Sequence, residues 1–210
     1  VAGLRLVGLR SKGLEPVDLK VIAGELVFLS GPSGAGKSLL LRAIADLDPH
    51  LGEVLIDGVP RSAIPAPEWR RRVGLLPAEA HWWGDRVGAH LRDPGARTVE
   101  WDSEITDILN RLGFGTEVLG WSVSRLSTGE RQRLALARLI ANRPEALLLD
   151  EATANLDPLN RDRVEAMVRD YRRERAAAVL WVSHDPEQRR RLAGRGLVVR
   201  DARLEPEPWT

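Results

Sequence analysis

The 210-residue sequence contains no cysteine. Neither a disulfide framework nor a thiolate metal site is therefore available to it. It also lacks a strong charge of either sign, with 31 Lys and Arg against 30 Asp and Glu and a formal net charge of +1. That balance predicts no general attraction to nucleic acid, and the RRR runs at 70–72 and 189–191 read as solvated helix faces or local patches. No charged-then-apolar leader opens the sequence, and no uninterrupted apolar stretch reaches membrane-spanning length. The expectation is a cytosolic chain, for which any membrane work needs a separate spanning subunit. Repeats and low-complexity tracts are missing too. What remains is an ordinary globular composition, 43% hydrophobic and 29% charged, in a length that suits one core with or without a sub-lobe.

Strand-like and helix-like patterns alternate along the chain. LRLVGLR (4–10) and LKVIAGELVFLS (19–30) read as strand material, with a turn at Gly24 and Glu25. A helical run LLLRAIADL (39–47) follows, then a short strand GEVLIDG (52–58) ending on an Asp-Gly turn signal. PAPEW (65–69) reads as a linker, RVGLL (72–76) as a buried strand, and about 99–112 as a helix. The apolar spacing from Ser127 to Asn142 predicts an amphipathic helix stopped by Pro144. ALLLD (146–150) and AVLWVS (178–183) read as buried strands around a charged helix over 158–175. A short basic helix and a terminal strand or hairpin at 197–204 complete the chain. This alternation implies an α/β fold with a mainly parallel sheet and ligands at the C-terminal ends of its strands.

GPSGAGKS (31–38) matches the phosphate-loop pattern G-x-x-x-x-G-K-[ST] between an apolar strand and a helix. Glycines there let successive backbone N–H groups turn inward around phosphate oxygens, and the helix N-terminus adds a favourable dipole. Lys37 supplies a point charge for the β- and γ-phosphates, and the Ser38 hydroxyl can ligate Mg²⁺. ALLLD ends on Asp150 and Glu151, whose side chains diverge on a strand. Asp150 suits a grip on Mg²⁺, direct or through an intervening group, and Glu151 can polarise an attacking water. An acidic loop after a buried strand explains the same pair without chemistry.

Two further motifs have two readings each. In LSTGERQR (126–133), Ser127 and Glu130 have the spacing of a capping box. The same helix end, with the Ser127 hydroxyl and the Gly129 N–H, would also make an anion site. Capping gives no reason for Gly129 in a first turn, where glycine weakens a helix. His184 precedes Asp185-Pro186, an N-cap and first helical residue. It is either structural or a hydrogen-bond donor to a γ-phosphate at the sheet end that holds Lys37 and Asp150. LLPAEAHWW (75–83) brings together a carboxylate, an imidazole and two indoles, as an active-site loop, a docking surface or core packing.

In order and spacing this set resembles the ATP-binding cassette (ABC) ATPases over nearly the whole chain. GPSGAGKS looks like Walker A, LSTGE the signature, ALLLDE Walker B with its catalytic glutamate, NLD (155–157) the D-loop and VSHD the switch histidine. The resemblance implies a P-loop NTPase core with a mainly parallel sheet, an N-terminal antiparallel β part and a helical sub-lobe. It makes residues 1–210 one ABC ATP-binding domain, with the core at about 1–78 and 145–210 and the sub-lobe at about 79–144. ATP and Mg²⁺ are the implied ligands. Gly31, Pro32, Ser33, Gly34, Ala35, Gly36, Lys37, Ser38 and Leu39 would hold the nucleotide, Ser38 and Asp150 the metal, and Glu151 and His184 would be catalytic. Ser127, Thr128, Gly129, Glu130 and Asp157 would serve the nucleotide of a second, head-to-tail copy, which makes a homodimer the implied assembly. A transmembrane permease is the implied further partner, with its contact near Glu79–Trp83 at the inner face of the cell membrane and no nucleic acid involved.

Three positions depart from the family pattern. Ala78 stands where the family carries a glutamine that senses Mg²⁺ and water, with Glu79 next to it. GLRSKGL (8–14) offers no aromatic ring for adenine, leaving Arg10 or Lys12 to cover the base. Thr128 replaces the usual first glycine of the signature. Of the two indoles, Trp83 is expected inside the helical lobe and Trp82 on the docking groove. VLWVSHD is most similar to the small ATPase subunits of putative iron-export systems. A soluble ABC-type ATPase and a nucleotide-responsive regulatory module are the competing readings.

Overall fold

Alternation of apolar and polar residues, interrupted in places, builds a first, antiparallel sheet. The computed structural model describes residues 3–91 and 99–207. Strands β1 (Gly3–Arg10), β2 (Val17–Ile22), β4 (Leu51–Ile56) and β5 (Val59–Pro60) pair in the order β2-β1-β4-β5. In β2 the alternation is complete, with Val17, Leu19 and Val21 buried and the residues between them exposed. One face of this sheet therefore turns to the core and the other to water.

The second sheet has six strands in the order β10-β9-β3-β8-β7-β6, made of β3 (Leu26–Ser30), β6 (Val73–Leu76), β7 (Ala146–Asp150), β8 (Ala178–Val182), β9 (Arg195–Arg200) and β10 (Arg203–Pro206). All neighbours are parallel except the terminal β9–β10 hairpin. β3, β7 and β8 are buried along their whole length, which explains why they read as unbroken apolar runs. Their side chains alternate between two cores. Val27, Leu29, Leu148 and Leu180 join the cluster under the antiparallel sheet, together with α1 (Lys37–Ile44). Phe28, Leu147, Leu149 and Trp181 join the opposite cluster, against α3 (Val99–Arg111), α4 (Thr128–Ala141) and α5 (Pro158–Arg175).

Residues 19–30 divide between the two sheets, since β2 belongs to one and β3 to the other. The segment expected to be a linker at 65–69 is instead the start of helix α2 (Ala66–Arg72). Its prolines mislead the reading because Pro65 sits at the N-cap position and Pro67 in the first turn, where a missing N–H costs nothing. The helix exists to deliver Trp69, fully buried, whose indole N–H donates to the Ile44 carbonyl at 3.0 Å. Arg72 then closes a two-bond ion pair with Glu145 at 2.7 and 2.8 Å.

The stretch expected to form a helical sub-lobe contains α3, α4 and three short 3₁₀ turns, while residues 92–98 within it lie outside the described part. Arg133 of α4 ties this region together, donating to the Leu112 carbonyl at 2.6 Å with its guanidinium 4.3 Å from the Phe114 ring centre. The chain ends with α6 (Pro186–Leu192) and the β9–β10 hairpin, as the basic run and terminal apolar stretch suggested. Among the described residues no helix is long and apolar enough to cross a membrane.

Trp69→Ala should lower unfolding free energy in urea by about 3–5 kcal/mol, the usual cost of emptying a buried aromatic site. Trp69→Phe should lower it less, since it keeps most of the volume and loses the indole hydrogen bond.

Candidate functional site

Parallel register puts three chain segments side by side at one sheet edge. Leu29 pairs with Val182, and Val182 with Asp150, so β3, β8 and β7 end level with one another. The phosphate loop leaves β3, Glu151 leaves β7 and His184 leaves β8 at this edge.

Gly31 opens the loop at φ 131°, and a Cβ there would lie 2.9 Å from the Val199 carbonyl oxygen, so only glycine fits. Gly36 ends it in the left-handed region and starts α1, which no side chain caps. The first-turn N–H groups of α1 are thus left for an external acceptor. Lys37, buried, folds back inside the arc and donates to the Gly31 and Pro32 carbonyls at 2.9 and 2.7 Å. Burial lowers its pKa against the opposing pull of the Glu151 and Asp150 charges. Pro32, Ser33 and Gly34 are exposed at the loop's tip, Ala35 is partly buried, and Ser38 and Leu39 sit exposed on the first turn of α1. Residues 12–14 lie alongside, with Leu14 and the Lys12 carbonyl 3.3 and 3.4 Å from where a Gly36 Cβ would be.

Asp150 is 7% exposed and lies close enough to the Ser38 side chain for that hydroxyl to pull its pKa down. Burial raises its pKa, helped by the Glu151 charge and opposed by Ser38, Lys37 and His184. Glu151 occupies a left-handed conformation at φ 48°, which a β-strand continuation would not require. Its N–H donates to the Val182 carbonyl at 3.1 Å. The turn swings its side chain away from Asp150 and toward His184, with Oε1 3.4 Å from Nε2. A cleft of about 290 Å³ opens beside the pair, lined also by Thr153, Arg161 and Asp185.

A hydroxyl and a buried carboxylate facing the same sheet edge are hard oxygen donors and fit Mg²⁺, which takes one or two protein ligands and completes its shell with phosphate and water. Among the described residues no group of three or more His, Cys, Asp or Glu could hold a metal ion.

At the start of α4 both readings of LSTGE find support. The capping box is complete, since Ser127 Oγ accepts from the Glu130 N–H at 3.3 Å and Glu130 Oε2 accepts from the Ser127 N–H at 2.8 Å. The Ser127 N–H holds the Glu130 carboxyl below its usual range. Gly129 has a separate explanation, because a Cβ there would lie 3.1 Å from Leu156 Cδ2. The signature is thereby packed on residues 155–156, and Asp157 beside them caps α5, accepting from the Asn160 N–H at 3.0 Å. Thr128 is exposed in the first turn. Among the described residues no hydrogen bond or ion pair joins Ser127, Thr128, Gly129, Glu130 or Asp157 to Lys37, Ser38, Asp150, Glu151 or His184. The structure assembles the first group with 155–157 and the second around the sheet edge.

The 77–83 loop reverses one expectation. Trp82 packs against the helical core, whereas Trp83 is 77% exposed. Successive residues in an extended segment point to opposite sides, and the sequence alone does not say which side is inward. Arg138 of α4 lies against both indoles, 5.0 and 4.8 Å from the ring centres, and donates to the His81 carbonyl at 3.2 Å. His90 meets both rings edge-on at 4.7 and 4.4 Å. Ala78 and Glu79 are exposed. Gln132, Arg138 and His90 carry no sequence signal for this role, yet Gln132 also anchors the loop, donating to the Pro77 carbonyl at 3.1 Å.

A raised Asp150 pKa means that the folded state keeps a proton that the unfolded chain releases first, so stability is lost as pH rises from the ordinary carboxylate range through the folded pKa. Asp150→Asn is therefore expected to raise the urea midpoint of the nucleotide-free protein at pH 7. The gain should vanish near about pH 4 and below, where the native carboxyl is itself protonated.

Residues 14–154 match the family model described as ABC transporter. The chain is 36% identical over 181 residues to the probable iron export ATP-binding protein FetA of Escherichia coli, covering 85% of this chain and 80% of that one. It is 38% identical over 199 residues to the Fe(3+) ions import ATP-binding protein FbpC of Streptomyces coelicolor, covering 91% of this chain and 56% of that one. A solved dimeric structure of MJ0796, a bacterial ABC transporter cassette, superposes with a TM-score of 0.82 at 25% identity over 99% of both chains. A dimeric post-hydrolysis state of MJ0796 bound to ADP and Pi gives a TM-score of 0.83 at 24% identity. The chain belongs to the ABC transporter family, as an ATP-binding and ATP-hydrolysing subunit.

Proposed function

We propose that two copies of this chain enclose ATP between them and that its hydrolysis drives a membrane permease in exporting a metal ion, iron in the best-supported reading. The observation that carries the two-copy arrangement is the separation of the site into two unlinked groups. Lys37, Ser38, Asp150, Glu151 and His184 share one sheet edge, while Ser127, Thr128, Gly129, Glu130 and Asp157 cluster elsewhere, and among the described residues no hydrogen bond or ion pair joins the two groups. A second copy in head-to-tail orientation would bring its signature to the first copy's phosphates, and the dimeric MJ0796 cassette is in keeping with this. In this reading residues 79–144 act as the helical sub-lobe on the core of 1–78 and 145–210.

The backbone N–H groups of residues 31–39, Pro32 excepted because it has none, and the Lys37 ammonium hold the β- and γ-phosphates. Ser38 and Asp150 would hold Mg²⁺, which when bound would neutralise charge on the transferring phosphoryl group. Glu151 orients a water and takes its proton as the water oxygen bonds to the γ-phosphorus and the bond to the ADP oxygen breaks. His184 donates to a γ-phosphate oxygen, and its Nε2 lies 3.4 Å from Glu151 Oε1. Ser127 and the Gly129 N–H of the other copy close the site, with Glu130 fixing Ser127 and Asp157 at the seam. Iron export is supported by the likeness to FetA, of which this chain covers 80%, against 56% of the iron importer FbpC. Trp83, outward-facing and backed by Arg138, suits the permease contact at the inner membrane face.

Glu151→Gln should retain ATP binding, lose about 100-fold or more in turnover, and accumulate as a dimer in Mg-ATP by light scattering. A monomer under saturating Mg-ATP would overturn the shared site. Trp83→Ala should leave melting temperature and basal turnover unchanged and reduce co-purification with the permease. A fall in stability instead would return this ring to a packing role.

A further inference from the structure

Gln188 is the most deeply buried polar side chain among the described residues, at 0% exposure, and no step above uses it. It lies on α6, one turn after His184. Its Oε1 accepts from the Ser183 hydroxyl at 2.6 Å, and its Nε2 donates to Thr153 Oγ1 at 2.8 Å and to Glu165 Oε1 at 3.0 Å. Ser183 immediately precedes His184, and its hydroxyl also accepts from the Asp185 N–H at 3.2 Å. Thr153 lies two residues after Glu151. One amide group thus binds the turn that carries His184 to the loop that carries Glu151, and ties both to α5. Glu165 is fixed from the far side by Arg191, with bonds of 3.0 and 2.6 Å.

Side-chain chemistry restricts this position. Two neighbouring acceptors and one hydroxyl donor need a group that donates twice and accepts once, which an amide does. The carboxylate of Glu165 also fixes which end of the amide faces it, because only the NH₂ can donate there. An apolar residue of equal length would leave the Ser183 hydroxyl and the Glu165 carboxylate without these partners in a closed interior.

We propose that Gln188 is a positioning residue for ATP hydrolysis, holding Glu151 and His184 at the separation across which water and the γ-phosphate are gripped. The proposal rests on the roles given above to Glu151 and His184. The phosphate loop takes no part in the network, so ATP binding should be independent of it while the hydrolytic step is not. Misplacement of a catalytic group by about 1 Å can cost about 100-fold in rate.

The test uses the full chain and compares Gln188→Met and Gln188→Glu with the native protein for turnover, KM, ATP affinity, melting temperature and pH profile. Gln188→Met should lower kcat by about tenfold to 100-fold with ATP affinity within about twofold. In Gln188→Glu the new carboxyl faces Glu165, itself paired with Arg191, with the Asp185–Arg161 pair the next charges along the network. While protonated it can still donate to Glu165, and once ionised it repels Glu165. Its kcat should therefore approach the native value at the acidic end of the profile and fall away as pH rises, with KM little changed. The proposal is overturned if neither variant loses more than about twofold in kcat at any pH, or if kcat and ATP affinity fall together with melting temperature. If Gln188→Met does not fold, the pH profile of Gln188→Glu decides alone. Glu151→Gln is run alongside, and undiminished turnover there sinks the underlying reading, whereas an inactive Glu151→Gln with unaffected Gln188 variants sinks only this proposal.

Discussion

The parallel hydrogen bonds joining β3, β8 and β7 determine where all the chemistry lies. They hold Leu29, Val182 and Asp150 in one row, so three segments far apart in sequence leave the sheet at the same height. Strand side chains alternate between two dry cores, and this double burial keeps the register from slipping, since a shift of one residue would exchange the two faces. A lysine, a buried carboxylate, a glutamate and a histidine meet only because that register is fixed. The antiparallel sheet and the helices cover the two faces and leave the strand ends open.

The frame was legible because it rests on local signals. Unbroken apolar runs marked the central strands, and GPSGAGKS carried its own turn and helix start. The half-exposed alternation of β2 stayed merged with β3 in one 19–30 run of strand material, and only pairing partners divide the two. Helix α2 was not legible, since Pro65 and Pro67 read as breakers until the buried Trp69 gives the segment a reason to coil. The orientation of Trp82 and Trp83 was beyond the sequence for a different cause, because the contacts that settle it come from Arg138 and His90 on other elements. The network around Gln188 likewise joins α5, α6 and the two strand-end loops, and no spacing rule links those residues.

LSTGE illustrates how one set of atoms meets two demands. Hydrogen bonds between Ser127 and Glu130 satisfy the start of α4, and so explain both residues without any ligand. Gly129 is accounted for by the side chain of Leu156, which presses on the helix where a methyl group would crowd it. Neither explanation competes with a role toward a second copy. A capped, rigid helix end presents its remaining N–H groups with little ordering cost, which favours recognition of an anion.

Arg138 and Ser127 stand near opposite ends of α4, a helix of 14 residues and about 21 Å. At one end the guanidinium is wedged by Trp82 and Trp83, with His90 bracing both rings, and at the other Ser127 and Gly129 form the signature. The ring that faces outward and the signature serine are therefore joined through one continuous helix, by way of the Arg138 guanidinium.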